Sequence, residues 1–536
     1  MSIPSRLYCG LSLLCGVAFI QCAPEQPADF PASNDTTLRF PPVPPDEVQE
    51  LPGRSLLVRN VDLLDGIRRS VQPGMDVLVR DGTIVAIGTE LDGGGVPVLD
   101  GTGQTMLPGL ITAHTHLQSV PGAVLRNDSP SHLEIHQNLQ LRAYLAGGFT
   151  SVLDPGISPE TARRFRSYLE KGHPGPEVFL LAPFLTPEDG YFGLESSRTH
   201  VYREFWEPVS SVDTVRENFQ KARTLNPSGV KVTVEEGMVV PIWPLFSDSQ
   251  LDMIRNEARA VTSPIYVHSL TPDAHLMALK LQPHALVHAG FRTTEASPEI
   301  IDVIKAAGPF VITTIALDRL FAWILNKEFT KDPWVRQRVP IAQYETAAHE
   351  GTRDLLFELV GTMTSPTWAP SFMIRALTPL MSPSEEDYQE ATARSGRAVV
   401  AMWKKGVPLV LGADDGNWPV LTTYFHGVSS QIELETLEDV GIPPADIIRA
   451  ATSNAATMLG VQNRIGSIEV GKEADMVLVP KNPLTAGMKV FRDLTWTINN
   501  GVAKSPGAWL TTDSLMSDGI PAKPTPSGSA KDAAKP

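Results

Sequence analysis

The 536-residue chain carries 45 Lys and Arg against 60 Asp and Glu, a formal net charge of −15, with 42% hydrophobic and 20% charged residues. The hydrophobic share supports a sizeable globular core, and the length suits one large domain with an accessory module. The acidic balance argues against nucleic acid as the main partner, because phosphate binding needs a basic stripe.

Residues 1–23 read as an export leader: Arg6 gives a short positive start, and residues 7–20 form an apolar run too short to span a membrane comfortably. All three cysteines (Cys9, Cys15 and Cys22) lie here, so the folded part has no disulfide framework. Cys22 stands where a bacterial lipoprotein is cleaved and acylated, although Phe19-Ile20-Gln21 matches a lipobox only in part. The expected location is periplasmic or secreted, with a lipid anchor at Cys22 as the one route to a membrane. Residues 24–54, with "FPPVPPDEVQELPG", are expected to form a proline-rich linker.

"SLLVRNVDLL", "MDVLVRDGTIVAIG" and "VPVLD" are short β-type runs, and Arg80-Asp81-Gly82 signals a hairpin turn. From about residue 108 to 465 the pattern changes. "GLITAH", "SVLD", "VFLLAP", "VKVTV", "IYVHS", "ALVHA", "FVITTIA" and "VPLVLGAD" alternate with longer helical stretches. About eight such runs predict an α/β fold, a (β/α)8 TIM-like barrel. Residues 318–400, carrying Phe321, Trp323, Trp334, Tyr344 and Trp368, exceed a usual connection. They form either a lid over the site or extra helices outside the barrel. The β-type runs at 55–107 and 466–515 are expected to pair as one small β-sandwich domain, and 516–536 to be a disordered tail.

Barrel sites are built at the C-terminal ends of the strands. His114 and His116 end the first run two residues apart, so on a strand they share a face. Lys231 lies in the fourth run, where alternation puts it with Thr233 and Glu235, opposite three valines. A buried lysine is costly unless neutralised or paired. His268, His288 and Asp414 close the fifth, sixth and last runs. Four imidazoles and a carboxylate at one opening suit zinc or a related divalent metal.

"VRDGTIVAIG", "MLPGLITAHTHL", "IYVHSLTPDAHLMALKLQPHALVHAG", "VPLVLGADDG", "IIRAATSNAATMLGV" and "GSIEVGKEADMVLV" resemble the amidohydrolase superfamily. The likeness runs from about 55 to 505 and is strongest to the imidazolonepropionase-related branch, which includes metal-dependent dipeptidases. It implies two divalent ions, expected to be zinc. His114 and His116 would hold the first and His268 and His288 the second. Lys231, N-carboxylated by CO2, would bridge them. Asp414 would bind metal and shuttle protons, with a metal-bridging hydroxide as nucleophile.

Two departures stand out. Thr112 occupies the place where the family usually has Asp, and the loop after the third strand reads "LTPEDGYFGLESSRTH" instead of a Gly-Gly-His-like sequence. Within it, Tyr191, Arg198 and His200 are candidates for binding a substrate carboxylate. The expected activity is metal-dependent hydrolysis of an amide or other C–N bond in a small molecule, such as a dipeptide, N-acyl amino acid or cyclic amide. A lactone, carbamate or ester hydrolase and a non-catalytic binding protein are the alternatives. The sequence is compatible with a homo-oligomer.

Overall fold

The computed structural model describes residues 29–34, 36–188, 190–191, 208–236, 243–289, 294–357 and 383–511. The leader with Cys22, the tail, Trp368, Arg198 and His200 lie outside them.

Two eight-stranded sheets organise the chain. The first joins strands from both ends of the sequence: β1 (Leu56–Leu63), β2 (Gln72–Arg80), β3 (Thr83–Gly88), β4 (Val98–Asp100) and β5 (Thr105–Pro108), then β14 (Met476–Val479), β15 (Trp496–Asn499) and β16 (Val502–Lys504). Its order is β16-β15-β14-β5-β1-β2-β3, with β4 paired to β1. Asp81 (φ 48°) and Gly82 (φ 83°) make the β2–β3 turn with two left-handed residues, the geometry that matches strand twist. The β3 side returns to the late segment: Ile84 N–H donates to Lys472 O, and Ala474 N–H to Gly82 O. The sheet therefore curls around a shared core that includes Val58, Val77, Met106, Met476, Trp496 and Ile498.

The second sheet contains the runs expected to form the barrel: β6 (Leu110–Thr112), β7 (Phe149–Asp154), β8 (Glu177–Leu185), β9 (Gly229–Thr233), β10 (Ile265–His268), β11 (Ala285–Val287), β12 (Phe310–Ile312) and β13 (Leu409–Val410). All neighbouring strands pair in parallel and in chain order. The first and last strands are tied by Ala113 N–H to Leu411 O, Asp414 N–H to His114 O, and a parallel bridge between Thr115 and Asp415. Inside, Ile111, Leu153, Leu181, Tyr266, Val287, Ile312 and Val410 pack together, joined by the helix Ser453–Met458 at the base. Val230, Val232 and Val234 instead enter the core between strands and outer helices. The alternation that sends these valines outward turns Lys231 inward. Gly109 is needed at the entry to β6 because a Cβ there would overlap the Thr150 side chain.

The described part of the long insertion includes the helices Leu317–Asn326, Pro333–Arg338 and Ile341–Ala348. They pack on Val420, Leu421, Tyr424, Phe425, Val428 and Ile432 in a core of their own. Phe321, Trp323, Trp334 and Tyr344 belong to this packing, which favours the reading of extra helices over a lid.

The proline-rich segment is docked along its described length. Phe40 is buried with Leu139, Ala143, Trp509 and Leu510. Ile341 N–H donates to Arg39 O, Ala342 N–H to Thr37 O, and Leu51 N–H to Ala503 O. Composition signals an extended chain here, and a few apolar side chains anchor it. Truncating such an anchor costs about 3–5 kcal/mol. Phe40→Ala should lower the thermal unfolding midpoint by several degrees, whereas the exposed Val85→Ala should not. Equal midpoints for Phe40→Ala and wild type would contradict this docking.

Candidate metal centre

The sequence-predicted residues converge where the barrel strands end. His114 and His116 lie just past β6 and flank Thr115, whose bridge to Asp415 keeps the backbone extended. Their Nε2 atoms are 3.2 Å apart. Asp414 Oδ1 lies 3.2 Å from Nε2 of His114 and 3.0 Å from Nε2 of His116. Four-coordinate zinc with bonds of about 2.0–2.1 Å would set its ligand atoms roughly 3.3 Å apart. Asp414 Oδ1 is buried without an aligned hydrogen-bond donor. Two nitrogens and such an oxygen facing one point form a donor set that fits a divalent ion.

His268 and His288 make a second pair, with His268 Nδ1 2.9 Å from His288 Nε2. The rings of His288 and His114 are 4.8 Å apart, so the two groups adjoin. Lys231 is 2% exposed on β9, between β8 and β10. Burial lowers its ammonium to about 7, against the pull of Asp414 and Asp154.

Burial also keeps His114, His268 and His288 neutral, and so able to donate lone pairs. His114 falls to about 3; His268 and His288 fall well below the ordinary histidine range. Burial pushes the Asp414 carboxyl up, but His114 and His116 overcome it and hold that carboxyl well below the usual range. The site therefore contains an ionised carboxylate together with the neutral imidazoles of His114, His268 and His288.

A second ring of residues supports these groups. Asp154, raised to about 6 by burial, accepts hydrogen bonds from the N–H groups of Leu117 (2.8 Å) and Gly156 (2.9 Å). It thereby fixes the chain directly after His116. Thr115 turns away from the histidines toward the Tyr144 hydroxyl. That hydroxyl donates to His426 Nδ1 (2.9 Å), while His426 Nε2–H donates to Ser119 O (2.9 Å). At Thr112, where the family pattern has a carboxylate, the side-chain hydroxyl is 3.0 Å from Ser430 Oγ. Ser430 donates to Asp415 Oδ2 (2.9 Å), which also accepts from Gly427 N–H (2.8 Å). A carboxylate thus reaches this region from the residue after Asp414. Glu235 Oε2 lies 3.9 Å from His268 Nε2 and accepts from Leu270 N–H.

Tyr191 stacks on His268, with ring centroids 4.7 Å apart, and meets Trp243 edge-on at 4.9 Å. None of Asp154, Asp415, Tyr144, His426, Thr314 or Trp243 stood out in the sequence. "ADDG" contains the one usable signal, a second carboxylate beside Asp414.

A model of the amidohydrolase family matches residues 105–503. A dihydroorotase of Ruminiclostridium cellulolyticum is 36% identical over 97 residues, 18% of this chain and 20% of that enzyme. The chain thus matches about one-fifth of the length of such relatives. A 5-methylthioadenosine/S-adenosylhomocysteine deaminase of Caldanaerobacter subterraneus subsp. tengcongensis is 23% identical over 451 residues, 81% of this chain and 88% of the relative. Among solved structures, a Xaa-Pro dipeptidase with bound methionine superposes with a TM-score of 0.63 at 18% identity, covering 84% of this chain and 99% of that one.

Gly412 tests how tightly the first group is built. A Cβ there would stand 2.8 Å from His114 Cβ and overlap Ile312. Gly412→Ala should weaken zinc binding by about tenfold or more, as support changes around ligands do. Competition against a chromophoric chelator measures this, and unchanged affinity would contradict the geometry.

Proposed function

The chain belongs to the amidohydrolase family, and from that premise we propose that it is a metal-dependent hydrolase of carbon–nitrogen bonds in small molecules. The observation that carries this reading is the approach of His114 Nε2, His116 Nε2 and Asp414 Oδ1 to within 3.0–3.2 Å of one another at the barrel mouth. We assign His114, His116 and Asp414 to one divalent ion, and His268 and His288 to a second. Zinc suits such nitrogen and oxygen donors. When bound, the ions supply Lewis acidity and make water more acidic.

The chain's own groups do the rest. Asp414 is ionised and buried, so it can take a proton from the attacking water. It then delivers that proton to the leaving nitrogen as the C–N bond breaks. Lys231, poised near neutrality, reacts as a free amine with CO2; an N–C bond forms, one proton leaves, and the product is a carbamate. That would convert a cation, which cannot ligate a metal, into a two-oxygen anion that can. Tyr191 and Trp243 form an aromatic wall beside His268, which favours a substrate with a flat or apolar group next to the scissile bond. Dipeptides, N-acyl amino acids and cyclic amides carrying such groups are the leading class.

Zinc-loaded protein assayed with bicarbonate should hydrolyse members of an amide panel. Asp414→Asn should lower kcat by about 10²–10⁴-fold, the usual scale for a lost general acid–base group. Turnover confined to esters and lactones would overturn the C–N assignment.

The lysine gives a pH test. The amine form of Lys231 grows as pH rises through about 7. Carbon-13 bicarbonate should therefore label a carbamate weakly at pH 6 and strongly at pH 8, and not at all in Lys231→Met. A label independent of Lys231 would contradict the assignment.

A further inference from the structure

Three non-glycine residues at the barrel mouth adopt left-handed backbone: His288 (φ 73°), Thr314 (φ 49°) and Asp414 (φ 58°). His288 and Asp414 are the assigned ligands. Thr314 is the unexpected member, because a β-branched residue is strongly disfavoured there and such strain persists only where surrounding contacts enforce it.

The contacts that enforce it are visible. Glu433, fully buried on the helix Val428–Asp439, accepts from Thr313 Oγ1 (2.6 Å), Ile315 N–H (3.1 Å) and Ala316 N–H (2.6 Å). These bonds bracket Thr314 on both sides. From the opposite side Thr314 N–H donates to Gly412 O (3.0 Å), two residues before Asp414. The clamped turn places Thr314 Oγ1 2.9 Å from His288 Nδ1.

An imidazole ligates a cation through one nitrogen and carries its proton on the other. The Nε2 atom of His288 faces His268, so Nδ1 must carry the proton if His288 is to serve as a ligand. We propose that Thr314, clamped by Glu433, is a positioning residue that accepts the Nδ1–H of His288 and so presents Nε2 to the ion held with His268. Glu433 touches neither ligand and acts through the turn. The inference rests on the two-ion reading of the site.

Zinc stoichiometry and stepwise affinity, measured by chelator competition in bicarbonate buffer, test it. Wild type should take up two ions. Thr314→Val, which keeps the shape and removes the hydroxyl, should hold the ion at His268 and His288 about 10–100-fold more weakly, the scale seen for lost partners of ligating histidines. Its affinity for the ion at His114, His116 and Asp414 should stay at the wild-type value. Thr314→Ser restores the acceptor and should restore both affinities. Glu433→Gln, which keeps the Thr314 hydroxyl but disturbs its clamp, should show the same selective loss. Thermal midpoints separate this from a failure to fold, since Thr314→Gly relieves the backbone strain and should be at least as stable as wild type while still losing the ion. Two ions bound with wild-type affinities by Thr314→Val would overturn the inference alone. A wild-type protein that binds a single ion would overturn the two-ion reading and the inference with it.

Discussion

Lone pairs of like character aimed at one point repel, and at the mouth of this barrel three of them meet at separations of 3.0–3.2 Å. A cation held among such donors relieves that repulsion, and the donor set fits a divalent ion. Much of the surrounding structure serves that convergence. The bridge between Thr115 and Asp415 aligns the ends of the first and last strands, which puts both histidines and Asp414 on one side. Burial keeps the His114 imidazole neutral.

The supporting residues share a logic. Buried acidic side chains each accept backbone N–H groups around the site: Asp154 after His116, Asp415 at Gly427, and Glu433 around Thr314. Side-chain acceptors of backbone hydrogen bonds fix chain direction. Thr112 illustrates how this arrangement tolerates a change. The carboxylate missing from that position is present one strand away, reached through Ser430 and Asp415. The left-handed backbone at His288, Thr314 and Asp414 shows the cost of the arrangement, roughly 1–3 kcal/mol at each such position.

The parts of this design that were legible in the sequence follow from local pattern. Alternation in "VKVTVE" separates Lys231 from the valines, and the apolar runs ending in His or Asp mark strand ends. The supporting ring was hidden because its members come from distant segments. Glu433 lies about 120 residues from the turn it clamps, and Tyr144 meets His426 across 282 residues. Residues on a helix such as Val428–Asp439, buried along most of its length, give no amphipathic signal of which side chain faces the site. The docking of the proline-rich segment escaped for a related reason. Its anchors are few, and composition averages over them. Tyr191 was singled out by position near the site, while its stacking on His268 depends on geometry that spacing does not encode.

The most direct measurement is an anomalous difference map at the zinc edge from crystals grown with zinc and bicarbonate. The account predicts two peaks at the C-terminal ends of the barrel strands, one bonded to His114, His116 and Asp414, the other to His268 and His288, with carbamate density on Lys231 between them. The absence of any peak within bonding distance of His114, His116 and Asp414 would contradict it.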